Sequence, residues 1–315
     1  MARILVIYYS QTGQLRKVAA SLAAPLEASA GVEVIWHQVT PQPSYSFPWK
    51  FLSFLDAFPE SVYLDPPAVN GAEFDPDASY DLVILAYQVW FLAPSLPITG
   101  FLRSPAARVL KGKLVITVIG CRNMWVTAHR AMQRELDALG ARVTDNVVLT
   151  DNGPFWSTFI TTPWWLLTGN QGPHFGVLPK AGISDHDIAH AARFGRALVA
   201  ALPRIAAGNP GPHLQGLQAV RVNPLTMLGE RIAHRSFRIW GRLVRWAGKP
   251  GARARKPILL VYVVFLIGAI VFMLPITMTI AALAARLSTR VVARARALEL
   301  PSGSSGERLA LYDTP

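Results

Sequence analysis

The chain has 315 residues, 51% of them hydrophobic, enough for one α/β domain of ordinary size with a substantial remainder. A formal net charge of +12 against only 16% charged residues makes position decisive, because nucleic-acid binders and membrane binders share a basic balance. The single cysteine, Cys121, excludes an intrachain disulfide framework and a zinc site built from several thiolates, and it fits a reducing cytoplasm.

The opening apolar run, residues 3–9, is too short for a signal peptide and lacks a small-residue cleavage site. Its branched and aromatic residues predict a strand buried on both faces of a parallel sheet. Leu15, Val18, Ala19, Leu22 and Leu26 then recur at helical spacing up to Gly31, which gives the first half of a βαβ unit. Further strands are predicted over residues 32–39, 81–87, 113–119 and 143–149, with a helix before the last marked by Trp125, Ala128, Met132, Leu136 and Leu139. A closing helix starts at Ser184, whose hydroxyl can cap it, and places Ile188, Ala191, Gly195, Leu198 and Leu202 on one face. Five strands alternating with helices predict an α/β, doubly wound, five-stranded parallel sheet over residues 1–203.

Two stretches exceed that minimal pattern. Residues 40–79 and 152–183 are rich in aromatic and aliphatic side chains, among them Trp49, Phe54, Phe58, Trp156, Trp164 and Trp165. Each follows a strand and should emerge at the carboxyl edge of the sheet, where open α/β folds bind ligands. They either roof one apolar pocket or pack on the domain and dimerise it.

Residues 204–256 read as a basic linker and amphipathic helix, in which Arg231, Arg235, Arg238, Arg242 and Arg245 are opposed by Glu230 alone. Residues 257–285 are uncharged and meet the length criterion for a membrane segment. Pro275 interrupts them, and Arg286, Arg290, Arg294 and Arg296 follow. Basic flanks at both ends fit a tilted single span or a proline-broken re-entrant hairpin with both ends on the cytoplasmic face, and the hairpin is preferred here. A core helix of a soluble domain is the remaining alternative. After the basic residues, Ser302 to Gly306 give the end of the 286–315 segment the composition of a disordered tail. No internal repeat, zinc finger or basic recognition helix is present, so anionic lipid rather than nucleic acid is the partner suggested by the charge beside the apolar run.

The loop Ser10-Gln11-Thr12-Gly13-Gln14 joins the first strand to the first helix. It offers backbone N–H groups, two hydroxyls and a positive helix end to a phosphate, and Gly13 permits close approach. A plain helix N-cap is the alternative. Here the chain resembles the flavodoxin family, whose loop reads Ser/Thr-x-Thr-Gly-x-Ser/Thr. Ser10, Thr12 and Gly13 match, while Leu15 stands where that pattern has a hydroxyl. The resemblance implies a flavodoxin-like fold with FMN as cofactor. It places the flavin ring between Gln88, Val89, Trp90 and Phe91 after the third strand and Gly120, Cys121, Arg122, Asn123 and Trp125 after the fourth. Trp90, Phe91 and Trp125 can stack on such a ring, although core packing explains any one of them.

His129, Asp151, His174 and Arg122 lie in or near carboxyl-edge loops and are the candidates for moving a proton. Cys121 is a conceivable nucleophile but, as a lone thiol at a strand end, reads as inert packing.

The layout also resembles the dialkylresorcinol condensing enzymes. This rests on Ile7-Tyr8-Tyr9-Ser10-Gln11-Thr12-Gly13-Gln14-Leu15, the Trp90-Phe91 loop, the Trp164-Trp165 insertion and the apolar C-terminal region. In that pathway two acyl-derived chains are joined and cyclised to a cyclohexanedione, which is then oxidised to a 1,3-dihydroxybenzene. Condensation of the ketosynthase type needs an activated cysteine and paired histidines on another fold, so the resemblance and the loop together imply the aromatising oxidation. It implies a hydrophobic small-molecule substrate, a ketosynthase or acyl carrier protein as partner, and attachment to the cytoplasmic face of a membrane through residues 257–285. A membrane-tethered electron carrier and a scaffold that docks a condensing enzyme without catalysis are the alternatives.

Overall fold

A computed structural model describes residues 1–312. Strand β1, Ala2–Tyr8, is buried from Ile4 onward and is an interior strand of a parallel sheet. It pairs on one side with β2, Val32–Gln38, and on the other with β3, Leu82–Trp90. Strands β4, Leu114–Cys121, and β5, Arg142–Thr150, continue outward. The resulting order β2-β1-β3-β4-β5 reverses direction beside β1, which is the flavodoxin-like doubly wound topology. A two-residue strand, Ala93–Pro94, adds an antiparallel fold-back on β3.

The intervening helices, which include α4, Leu96–Leu102, and α5, Val126–Ala138, cover the two faces. Helix α1, Gln14–Glu27, turns Leu15, Val18, Leu22 and Leu26 into the core and packs against α8, Ala192–Ala206. Gly195 makes that helix contact possible, since a Cβ there would sit 1.9 Å from the Leu22 carbonyl oxygen. Ahead of α8 the short helix α7, Asp185–His190, begins as expected: the Ser184 hydroxyl accepts the Asp187 N–H at 3.0 Å.

The two insertions meet over the carboxyl edge. The first contains α2, Phe51–Asp56, and α3, Phe58–Tyr63; the second contains α6, Thr158–Thr168. Trp49 donates its backbone N–H to the Leu166 carbonyl at 2.8 Å, and Leu166 and Leu167 pack with Tyr45, Trp49 and Trp90.

The C-terminal third differs from the sequence expectation in two respects. Residues 213–222 run beside β5, followed by α9, Pro224–Trp246. A continuous helix then spans Arg255–Leu287 as α10, Arg255–Gly268, a π-helical turn, Ala269–Met273, and α11, Leu274–Leu287. The re-entrant hairpin expected from Pro275 is not formed. The widened π turn lies directly ahead of the proline, where the ring would otherwise crowd the Val271 carbonyl, and it absorbs the missing N–H without breaking the helix. The second difference is the tail. After α12, Thr289–Glu299, residues 300–312 dock on the domain and end in α13, Leu309–Tyr312. Ser302 is fully buried, donating to Asp145 and accepting the Asn146 N–H, both at 2.9 Å. Gly303 and Ser305 carbonyls accept the Val220 and Gln218 N–H groups. These bonds order a segment whose composition suggests disorder; residues 313–315 of the expected tail lie outside the described residues.

Candidate functional site

Gly13 adopts the left-handed conformation, φ +80°, and caps α1 at the carboxyl end of β1. Nothing lies within 4 Å of the position its Cβ would take, so the loop is open on that side. The Ser10 hydroxyl accepts the Arg16 N–H at 3.3 Å and the Thr12 hydroxyl accepts the Gln14 N–H at 3.4 Å. Both hydroxyls therefore keep an O–H to donate outward. The N–H groups of Thr12, Gly13 and Leu15 have no partner among the described residues. No acidic residue occupies the first turn of α1, and Arg16 and Lys17 are exposed on it. Three free N–H donors, two hydroxyls and the positive end of a four-turn helix match the chemistry of a phosphate monoester.

The other loop residues hold this cradle in shape. The Gln11 N–H donates to Gln88 Oε1 at 3.1 Å, while its side chain donates to the Ser46 carbonyl at 2.8 Å and accepts from the Tyr9 hydroxyl. Gln14 clasps the backbone of Ile183 with both ends of its amide, at 3.0 and 3.1 Å. Both insertions are thus tied to the loop. Leu15 is buried in the core against Gly120, so only its backbone N–H faces the cradle. A hydroxyl there would lose an apolar core contact.

The flavin-side loops are more heavily committed to packing than expected. Val89 and Trp90 end β3, and Phe91 and Leu92 both take left-handed backbone, φ 48° and 63°, to form the fold-back onto Ala93–Pro94. Non-glycine residues rarely adopt that conformation in succession, and each costs about 1 kcal/mol or more. The turn persists because Phe91 is wedged against Phe54 and Phe58, with ring centroids 5.1 and 5.6 Å away, and Leu92 is buried. Phe91 therefore faces the insertion and the C-terminal helices, not a ligand. Trp90 is half-buried at the centre of Tyr9, Tyr45 and Trp49, all within 6 Å by ring centroid. Gly120 is buried near the end of β4; beyond it the Asn123 side chain accepts the Met124 N–H at 2.7 Å, and Trp125 is buried against His129.

Among the titratable candidates, Arg122 is distinctive. Its guanidinium lies 4.0 Å over the Phe159 ring and donates to the Thr158 hydroxyl at 2.9 Å, with no carboxylate within ion-pair distance among the described residues. Burial pulls its pKa down to about 10, still fully cationic at neutral pH. Asp151 accepts the N–H groups of Gly153 and Gly182 at 2.7 and 2.6 Å. Burial raises its pKa, but with both oxygens engaged it staples the ends of the second insertion and does not serve as a free base. His129 is buried with Nδ1 unpartnered, and desolvation lowers its pKa to about 4. His174 lies apart, in the hairpin closed by the His174–Leu178 bridge, with its ring 5.5 Å from that of Trp164. The Cys121 thiol is pushed far up by burial, which removes the thiolate a nucleophile needs. No group of three His, Cys, Asp or Glu suited to a metal occurs among the described residues.

Two cavities open near these loops. One, about 560 Å³, is lined by Tyr45, Trp49, Ala57, Leu96 and the carboxylates Asp56 and Glu60, and reaches Pro250 between α9 and the long helix. Tyr45 and Ser46 connect it to the loop through Gln11. The other, about 370 Å³, lies between Asn123, Trp125, Thr150 and the start of α9. Of the two insertions expected to roof one apolar pocket, only residues 40–79 line the 560 Å³ cavity, and they do so with carboxylates as well as apolar groups. Sequence reasoning missed Arg255, fully buried with ion pairs to Asp56 at 3.0 Å and Glu60 at 2.8 Å. The charge in that position looked like one more juxtamembrane arginine.

No family model matches the chain, and no curated protein matches it. Among solved structures the chain is similar to a flavoprotein in complex with FMN from Lactobacillus acidophilus NCFM, at 16% identity over 47% of this chain and 93% of that one, TM-score 0.38. It is also similar to a flavodoxin, WrbA-like protein from Agrobacterium tumefaciens, at 13% identity over 65% and 98%, TM-score 0.35. A third is a flavodoxin from the domain Archaea, at 11% identity over 65% and 99%, TM-score 0.33. At this level of likeness the fold rests on the strand order itself.

Proposed function

We propose that the chain is an FMN-dependent oxidoreductase, attached to a membrane, that acts on a hydrophobic, lipid-like ring compound. The observation that carries this reading is the Ser10–Leu15 cradle, with three free N–H donors and an open Gly13 at the head of α1. FMN, when bound, supplies a two-electron acceptor. The N–H groups of Thr12, Gly13 and Leu15 and the hydroxyls of Ser10 and Thr12 would hold its phosphate. The half-buried edge of Trp90 and the backbone of residues 120–123 are the nearest candidates for its ring.

The resemblance to the dialkylresorcinol condensing enzymes supports the finer assignment, dehydrogenation of a dialkyl cyclohexane-1,3-dione to the dialkylresorcinol. That conversion removes two electrons and two protons. The hydrogen between the carbonyls only shifts to oxygen; the oxidation itself removes a proton from the ring CH2 beside a carbonyl and a hydride equivalent from the next ring carbon, and negative charge develops on that carbonyl oxygen as the proton leaves. Arg122, a buried cation that feels the Asp151 charge but makes no close ion pair, is suited to stabilise that oxygen. Tyr45, Trp49, Ala57 and Leu96 give the 560 Å³ cavity an apolar side for alkyl chains, and Pro250, which joins its lining, lies between α9 and the segment proposed to meet lipid.

Full-length protein loaded with FMN and mixed anaerobically with the synthetic dione should lose its visible flavin absorbance while an equivalent of resorcinol appears. Absence of both would overturn the assignment. Arg122→Gln should lower turnover about 100-fold or more with FMN still bound, in line with the loss of one transition-state donor. Unchanged turnover would remove Arg122 from the site.

A further inference from the structure

We propose that the long helix 255–287 does not cross a bilayer but lies in the plane of one, docking the protein on an anionic lipid surface from a single side. This rests on the membrane attachment proposed above and specifies its geometry.

At 33 residues the helix is about 50 Å long, well beyond the roughly 30 Å hydrocarbon core. Its beginning and its continuation are both fastened to the same globular domain. At the start, Arg255 is fully buried in ion pairs with α2 and α3, and Tyr262 stacks on Phe58 with ring centroids 4.4 Å apart and planes within 6°. Past the end, α12 returns directly: Ala295 joins the main core, Glu299 accepts the Val222 N–H at 2.9 Å, and Ser302 is locked to Asp145. Eleven residues of α12 span only about 16 Å, too little to recross a membrane. Between these anchors one stripe of the helix, including Leu259, Tyr262, Thr277 and Ala281, is buried. Helix α9 packs along it and is itself fixed to the domain where Glu230 accepts the Thr127 N–H. An upright helix would have to shed one set of these contacts.

The opposite stripe is apolar and uncovered: Val261, Val264, Ile267, Phe272, Ile276 and Ile280 are each more than half exposed. Helix α9 extends it with Ile239, 71% exposed, and Trp246, 83% exposed, the latter being a residue type favoured at the membrane–water boundary. Around this stripe stand exposed Arg235, Arg242, Lys249, Lys256, Arg286 and Arg290. Glu230 is the only acidic residue between positions 221 and 298, and it is buried. A predominantly basic rim, in which Asp65 is already paired with Arg245, complements an anionic lipid surface, and it opposes pairing with a second copy, whose rim would carry the same sign.

The test uses full-length protein with sealed vesicles of phosphatidylcholine alone or mixed with phosphatidylglycerol. Flotation should require the anionic lipid and weaken as salt is raised. The triple variant V264E/F272E/I280E should float at least tenfold less while circular dichroism is unchanged. In a C121S background, spin labels at Val264, Phe272 and Ile280 should report one common shallow depth, about 5–10 Å. Lys249→Cys and Arg290→Cys should both react with an impermeant maleimide added outside. A depth profile that peaks at Phe272, with one of the two end labels protected, would show a span and overturn the in-plane geometry while leaving membrane attachment intact. Failure to float on either lipid, with dimers in solution, would overturn both.

Discussion

The Ser10–Leu15 loop and the 255–287 helix are both incomplete surfaces, but what each lacks is of opposite chemistry. In the loop, backbone donors are left without acceptors around a left-handed glycine, which calls for a compact anion. Along the helix it is apolar side chains that remain uncovered, which calls for an extended apolar medium. The first surface is specific in geometry and small in area; the second is large and without directional bonds. The two are linked by one element, the 40–79 insertion, whose Ser46 carbonyl holds the loop and whose Asp56 and Glu60 hold the helix.

That link is where the largest effect is expected. Arg255→Met leaves Asp56 and Glu60 mostly buried without their partner, and should cost about 3–5 kcal/mol in urea unfolding. FMN affinity should fall far less than stability. A cost below 1 kcal/mol would mean that the insertion and the helix are not coupled through this node.

Acid should separate the regions next. His129 is buried neutral with its pKa lowered to about 4, against about 6.5 when unfolded. Below pH 6.5 the unfolded chain binds a proton that the folded chain refuses, so stability present at neutral pH is lost as pH falls toward 4. The loss amounts to roughly 3 kcal/mol at the low end, with His37, His213 and His234 adding in the same direction. Urea midpoints measured between pH 7 and 4.5 should fall steeply in the parent and less so in His129→Gln. Parallel slopes would place the acid sensitivity in the other histidines.

A smaller effect is expected at the tail. Ser302→Ala removes two hydrogen bonds to the β5 segment and should cost about 1–2 kcal/mol, with faster amide exchange over residues 300–312 and no change in the loop. An unchanged exchange rate would mean that Arg308 and the 303–305 backbone suffice to hold the tail.

The parts legible in the sequence are those whose cause is local. Five strands appear as short apolar runs because four are largely buried and the edge strand β2 is half-buried, and Ser184 and Gly13 announce helix starts through their own chemistry. Leu15 read as a gap in the phosphate pattern only because its burial against Gly120, more than one hundred residues away, has no local sign. The same holds for Phe91, whose role is fixed by Phe54 and Phe58, and for the tail, where Ser302 is ordered by Asp145 across the sheet edge. Pro275 misled for a different reason. Proline rules describe an α-helix, and the π turn ahead of it removes the clash they presuppose.

The most direct test is titration of the full-length protein with FMN, followed by fluorescence quenching and by heat. One equivalent should bind, Thr12→Ala should weaken it about tenfold and Gly13→Val at least a hundredfold, with circular dichroism unchanged in both. Riboflavin, lacking the phosphate, should bind at least a hundredfold more weakly than FMN. Equal affinity for riboflavin and FMN, or unaltered FMN binding in Gly13→Val, would contradict a phosphate cradle at Ser10–Leu15.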